Sequence, residues 1–417
     1  MAVREKPYEE HLIQFVKKQY ISIGMVVFMT IILTISYNFS TSIIAPLYFP
    51  IRNQSHTSME VTLAQITSTT TTANKPITNV TSKTTTTTTR NLDEILCDNR
   101  TSFHLSSIPS NPCARVRCVV VLRHSGGRLG NRMFMFASAY GLARAHHCHL
   151  YVSETIRAEL GSYFQMHTID SSIWLTEREF NLLKNIEIKD TVCSFFPDLM
   201  KVNGFQYIEL HGYWQSYLHF DGYREEIREI FTARNETLVR LAKYFTELIQ
   251  QFCSLCSPLP HRTHEELRQA LRTRFNIVWI SIHIRRTDII SHGCASDEQY
   301  IYSAMQFYRR RYYQENIRFL VASDDRPYCR QILAHENYSG QVFILPNDFS
   351  PIDDLIALSL CHHSIVTVGT FGFWTGYLAG GTVVHDVKCR EDCLQVEYYP
   401  PWFILMGTPK TRKTRLR

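Results

Sequence analysis

Residues His283 to Asp288 read HIRRTD, four functional side chains in six positions. They follow directly on the apolar run Phe275 to Ile282, FNIVWISI, which predicts a buried strand. A strand that ends in a histidine, two adjacent arginines and an acid concentrates positive charge at the lip of a sheet, where open α/β sheets bind their ligands. Arg285 and Arg286 side by side suit a phosphate or pyrophosphate, which guanidinium groups grip through forked, charge-assisted hydrogen bonds. An exposed basic turn with Asp288 as its counter-ion is the alternative, and the apolar run before it favours the anion site.

Other polar groups fall at the ends of predicted strands. Arg117 to Leu122 is a short β-branched run, followed by HSGGRLGN (His124 to Asn131). Arg132 to His147 then carries Met133, Phe136, Ala137, Tyr140, Ala143 and Arg144 at helical spacing. Free N–H groups at such a helix start attract anions, and the glycines let a ligand approach the backbone. The turn is neither a Walker loop nor a G-x-G-x-x-G fingerprint, which argues against a dinucleotide oxidoreductase. Further on, Tyr300 to Gln314 predicts a helix, and Ile317 to Ala322 a strand ending in Ser323, Asp324 and Asp325. Val342 to Leu345 is a short strand. Asp353 to Cys361 is an amphipathic helix whose acids sit in the first turn, as the helix dipole prefers, so Asp353 and Asp354 are not read as metal ligands. Ser364 to Val368 is a strand, GTFGFW (Gly369 to Trp374) opens the next helix, and Thr382 to Val387 closes the series.

Strands alternating with helices predict an α/β fold with a parallel sheet wrapped on both faces. Right-handed crossovers bring the HIRRTD, SDD and GTFG ends to one edge of it. Backbone N–H groups from Thr370 to Gly372 offer a second phosphate cradle. Asp324 or Asp325, each otherwise a cap or turn residue, could accept both N–H groups of a guanine edge.

The N-terminus sets the compartment. Between Lys18 and Arg52 no residue is charged, and Ile21 to Ile35 is almost wholly apolar. Arg4, Lys6, Lys17 and Lys18 precede it, so the Lys/Arg bias predicts an uncleaved signal anchor with the short tail in the cytosol. Residues 53–90 are loaded with threonine, including the run Thr84 to Thr89, and cannot bury enough surface to fold. They read as an O-glycosylated stalk or an unmodified spacer. Sequons at Asn53, Asn79, Asn99, Asn235 and Asn337 and twelve cysteines, all after the anchor, fit the secretory pathway. Disulfides are favoured over zinc, because no histidine spacing completes the Cys253–Cys256 or Cys389–Cys393 pairs. The net charge of +6 owes much to the tail from Lys410 to Arg417, read as a solvated end and not a nucleic-acid arm.

Three segments together resemble the α-1,2-fucosyltransferases of glycosyltransferase family 11: GGRLGNRMF (Gly126 to Phe134), HIRRTD, and TVGTFGFWTGYLAGG (Thr367 to Gly381). The HxRRxD pattern is shared with α-1,6- and protein O-fucosyltransferases; the GTFGFW block with its LAGG ending narrows the likeness, which covers most of residues 115–390. The resemblance implies a GT-B-like arrangement of two Rossmann-like domains facing a cleft, behind a type II Golgi membrane anchor and a disordered stalk. It divides the chain into a cytosolic tail (1–18), an anchor (19–38), a stem (39–112), an acceptor-side domain (113–275), a GDP-fucose-binding domain (276–400) and a basic tail (401–417). It implies transfer of fucose from GDP-fucose to the 2-hydroxyl of a glycan ending in galactose, with inversion and no metal or other cofactor. By matching position, His283 would lie by the guanine or ribose. Arg285 and Arg286 would serve the phosphates, with Arg285 and Asp288 as the catalytic pair. Asp324 or Asp325 would read guanine. Gly130 and Asn131 would reach the diphosphate from the first domain, and Thr370 and Phe371 would close the pocket. Arg132 departs from the family, which has Gln after GN. Tyr213, Trp214 and Tyr217 are candidates for stacking on the acceptor sugar. The rival readings are a fucosyltransferase of another linkage and an inactive lumenal glycan-binding protein; a homodimer is left open.

Overall fold

The computed structural model describes residues 118–407 apart from 125, 167–168, 170–173, 184–185, 198–205, 335–339, 390–392 and 394. All belong to one compact unit. The expected tail, anchor and stem, and the sequons at Asn53, Asn79, Asn99 and Asn337, lie outside the described residues. Among the described residues no helix is long and apolar enough to cross a membrane.

Two parallel sheets carry the fold. The first has the order β3-β2-β1-β5-β4, built from β1 (Cys118–Leu122), β2 (His149–Ser153), β3 (Trp174–Leu175), β4 (Ile186–Thr191) and β5 (Gln206–Gly212). In β1, Val119, Val120, Val121 and Leu122 are all fully buried, as a central strand covered on both faces requires. The second sheet has the order β11-β10-β9-β6-β7-β8. Its strands are β6 (Ile277–Ile284), β7 (Asn316–Ser323), β8 (Val342–Ile344), β9 (His363–Val366), β10 (Val383–Asp386) and β11 (Phe403–Met406). The sheet therefore runs on into the segment 401–417 expected to be a basic tail, with β11 pairing in parallel with β10. The apolar run FILM supplies that edge strand.

Each sheet reverses its order once. In the second the reversal falls between β6 and β9, and in the first between β1 and β5, the places where α/β sheets open a crevice at their strands' carboxyl ends. The register levels those ends: His283 pairs with Ala322 of β7 and with Val366 of β9.

Helix α1 (Leu129–His146) follows β1 and is buried along nearly its whole length, Ser138 included. A helix apolar all round must be covered on all sides. Its own sheet covers one side. The other packs on α2 (Thr370–Ala379) of the second half, where Phe134 meets Phe373 at 4.6 Å and Trp374 at 5.1 Å. One apolar cluster thus runs from Val120 and Phe136 to Trp374 and Phe403, joining both sheets.

Four disulfides occur among the described residues: Cys118–Cys148, Cys193–Cys393, Cys253–Cys256 and Cys294–Cys389. Cys389 and Cys393 do not pair with each other but hold two different distant partners. Cys193–Cys393 ties residues 200 apart and connects the first half to the end of the second. Replacing both of its cysteines by serine should lower unfolding stability by about 2–4 kcal/mol, seen as a fall in the thermal midpoint. An unchanged midpoint would show that the packed seam alone holds the halves.

Candidate active site

The two reversal points face one cleft of about 660 Å³. Its first wall is the turn after β1 and the start of α1, from Gly127 to Arg132, with Tyr163. Its second wall is His283, Arg285 and Asp288 at and beyond the end of β6, Ala322 to Asp324 at the end of β7, and Thr370 and Phe371 at the start of α2. Phe349, Pro351, Asp354 and Arg326 complete it.

The two walls touch at Gly130. A Cβ there would lie 2.7 Å from Thr370 Oγ1 and 2.8 Å from Phe371 N, so only glycine allows the approach. Trp374 Nε1 donates to the Gly130 carbonyl at 2.9 Å, and Thr370 Oγ1 donates to Asn131 Oδ1 at 2.8 Å.

Arg285 is fixed from several directions. Its backbone N–H donates to Thr367 Oγ1 at 2.9 Å. Its side chain donates from Nε to Asp288 Oδ1 at 3.0 Å and from Nη2 to Oδ2 at 2.6 Å. Gly369 (φ +110°) leaves room for Nη1, which a Cβ would approach to 2.6 Å. Two of the five guanidinium N–H groups are thereby used, and three remain for an anion. Arg128, on the opposite wall, donates to Asp288 Oδ2 at 2.8 Å. The hydrogen-bonded Arg285 guanidinium holds the Asp288 carboxyl down at about 2, so this residue is an anion that organises two cations. His283 is buried, which pushes its imidazole down to about 4 and keeps it neutral at neutral pH. Its ring lies 5.0 Å from that of Phe371, and Gly372 makes room for Nδ1.

The arginines expected to grip an anion side by side are split. Arg286 does not line the cleft: its guanidinium stacks 3.3 Å over the Tyr328 ring and its Nε donates to Asp325 at 3.3 Å. Asp325 also stands outside, capping the helix Arg326–Leu333 through Tyr328 N. Asp324 lines the cleft, but its carboxylate accepts from the backbone N–H groups of Arg286 and Thr287 and from the Thr287 hydroxyl, fixing the turn that follows β6.

Sequence reasoning gave no site role to Arg128, Tyr163, Arg326 or Asp354. Asp354 accepts both 2.8 Å bonds from Arg326 Nη2, and burial pushes its carboxyl up to about 7 against that pull. Asp353 does what the dipole reading expected, in a capping box with Ser350, and also accepts from Arg240 at 2.6 Å. The signal for Asp354 was its place one residue on, about 100° further round the helix, towards the end of β7.

Among the aromatics considered for a sugar, Trp214 is fully buried and Tyr217 nearly so, so both are core. Tyr213 is half-buried, and its ring lies beside Gly126, one residue before the first wall begins. Arg132 lines the cleft and pairs with Glu159 at 3.3 Å. Asn235 is exposed at the start of the helix Asn235–Gln250. Among the described residues no group of three or more His, Cys, Asp or Glu side chains is arranged to hold a metal.

Residues 260–392 match the profile of glycosyl transferase family 11. The chain is similar to galactoside alpha-(1,2)-fucosyltransferase 1 of Mus musculus, 26% identical over 62% of this chain and 63% of that protein. It is similar to galactoside alpha-(1,2)-fucosyltransferase 2 of Sus scrofa, 26% identical over 62% of this chain and 69% of that protein. The match thus spans a little under two thirds of the mouse relative's length. Among solved structures, NodZ alpha-1,6-fucosyltransferase co-crystallized with GDP aligns over 63% of this chain and 92% of its own, with 14% identity and a TM-score of 0.37.

Gly130→Ala should push the walls apart. We expect a loss of about 1–3 kcal/mol of stability together with weakened ligand binding in the cleft, measured by denaturation and calorimetry. A variant with parental stability would mean that the walls are free to part.

Proposed function

We propose that this chain is a member of glycosyl transferase family 11, as the match over residues 260–392 supports, and that it moves fucose from GDP-fucose to the 2-hydroxyl of a galactoside, with inversion and without a metal. The observation that carries this reading is Arg285, fixed by Asp288 and Thr367 at the reversal point of the second sheet with three N–H groups to spare.

The diphosphate takes those N–H groups, with further contacts from Asn131 and from the backbone at Thr370 and Phe371, where a helix start favours negative charge. Gly130 lets the two walls close on it. Arg128, on the first wall, is the second guanidinium in place of Arg286. His283, neutral and packed against Phe371, lies by the ribose or base. For guanine we place Asp354 instead of Asp324 or Asp325. Its two oxygens each give one lone pair to Arg326 and keep one for a base N–H.

As the bond from fucose C1 to the diphosphate breaks, positive charge grows on the sugar ring and negative charge on the leaving group. Arg285, already aligned, stabilises that charge without reorganising, the kind of term that is often the largest in such reactions. The acceptor hydroxyl attacks from the opposite face, with Tyr213, beside Gly126 just ahead of the first wall, available to it. A carboxyl held at about 2 is a weak base, so Asp288 serves the arginines and does not drive deprotonation. The four disulfides support placing the domain in an oxidising lumen. We place it behind a type II anchor in the Golgi, with Asn235 exposed to carry a glycan.

Arg285→Ala should lower fucosyl transfer by about 10²–10³ while the domain stays folded, and EDTA should leave the parent's rate unchanged. Near-normal turnover in the variant would remove Arg285 from the reaction, and strict dependence on added Mn²⁺ or Mg²⁺ would end the metal-free reading. Asp354→Ala should bring the affinities for GDP and UDP close together. A variant that still prefers GDP as strongly as the parent would show that another group reads the base.

A further inference from the structure

Asn131 is held on the cleft wall by more than its neighbours in sequence. Its Oδ1 accepts from Thr370 Oγ1 at 2.8 Å, from the second half, and from Gln215 Nε2 at 3.1 Å, from the segment that follows β5. Gln215 is 4% exposed, and its own backbone N–H donates to Val192 O at 2.8 Å, so its side chain issues from a fixed point. A primary amide with its oxygen taken from two sides keeps one orientation, and its nitrogen then becomes the outward donor. That nitrogen lies against Gly127, whose left-handed backbone (φ +73°) and missing Cβ leave the space for it on the cleft lining.

We propose that Gln215 is a positioning residue for the donor diphosphate: by fixing Asn131 Oδ1 together with Thr370, it aims Asn131 Nδ2 at the phosphate oxygens of a nucleoside diphosphate. Gln215 does not touch the nucleotide. It works through the polarity of one amide, and it rests on the reading of the cleft as a GDP-fucose site. Gln215 also lies two residues from Tyr213, so the segment that sets the amide is the one that carries an aromatic ring to the acceptor side.

The test inverts the polarity. Gln215→Glu replaces the amide donor by an acceptor, which turns Asn131 so that its oxygen faces the phosphates. Gln215→Met removes the bond with little change of shape. In the full chain, affinities for GDP and for guanosine are measured for the parent and both variants by titration calorimetry. The expected order for GDP is parent, then Met, then Glu, with Gln215→Glu weakened about tenfold to a hundredfold, the worth of a hydrogen bond to a charged group. Guanosine, which has no phosphate, should bind all three alike. A Gln215→Glu protein that binds GDP as well as the parent overturns the proposal. So does one that loses GDP and guanosine in equal measure, since that is plain structural damage. A parent that binds guanosine and GDP equally, or neither, defeats the donor reading itself before the variants are compared.

Discussion

One carboxylate organises the cleft. Asp288 takes two bonds from Arg285 behind it and one from Arg128 across from it. The two partners are unequal. Arg285 is one-quarter exposed and braced by Thr367 and Gly369, whereas Arg128 is 73% exposed. An exposed pair contributes little stability and is screened by salt, so the Arg128 bond is the one an incoming anion can replace. The Arg285 bonds fix where the charge sits. Without Asp288, two guanidinium groups would face each other over the same space, and neither would hold its aim.

That geometry depends on the halves meeting closely, and the meeting is apolar. Phe134, Phe220, Phe373 and Trp374 interlock across the seam. Polar contacts border this packed centre, among them the indole of Trp374 on the Gly130 carbonyl and the hydroxyl of Thr370 on Asn131, which Gln215 also holds from its own half. Interiors packed to this density transmit small displacements. A methyl group at Gly130 is therefore felt at the start of α2, where Thr370 and Phe371 line the cleft.

The inner strands of the second sheet, β6, β7, β9 and β10, were legible because they are mostly buried and read as largely apolar runs with polar residues at their ends, whereas the partly exposed edge strand β11 was taken for a tail. The first sheet beyond β1 was not. Its β4, IEIKDT, is mostly exposed or half-buried, and β3 is two residues long, so neither has a pattern to find. Arg285, His283, Gly130, Asn131, Thr370 and Phe371 all reach the cleft. Arg286 was misread because neighbours leaving the end of a strand point to opposite sides, and the ring of Tyr328 was waiting on the far one. Asp324 was read as a ligand group but fixes a turn, a role visible only once the N–H groups of Arg286 and Thr287 have positions. Asp354 was passed over because the dipole explanation suits both acids of its helix, and only the approach of Arg326 separates them.

The Cys193–Cys393 bond makes the order of synthesis matter. Its second thiol leaves the ribosome 200 residues after the first, so the covalent tie between the halves is closed after both sheets can have begun to form. A chain stopped before residue 393 would leave Cys193 without its partner. That chain would carry every residue that lines the cleft but would have an unpaired thiol in place of the tie between its halves. Shortening this protein from its carboxyl end is therefore a failure of maturation before it is a failure of chemistry.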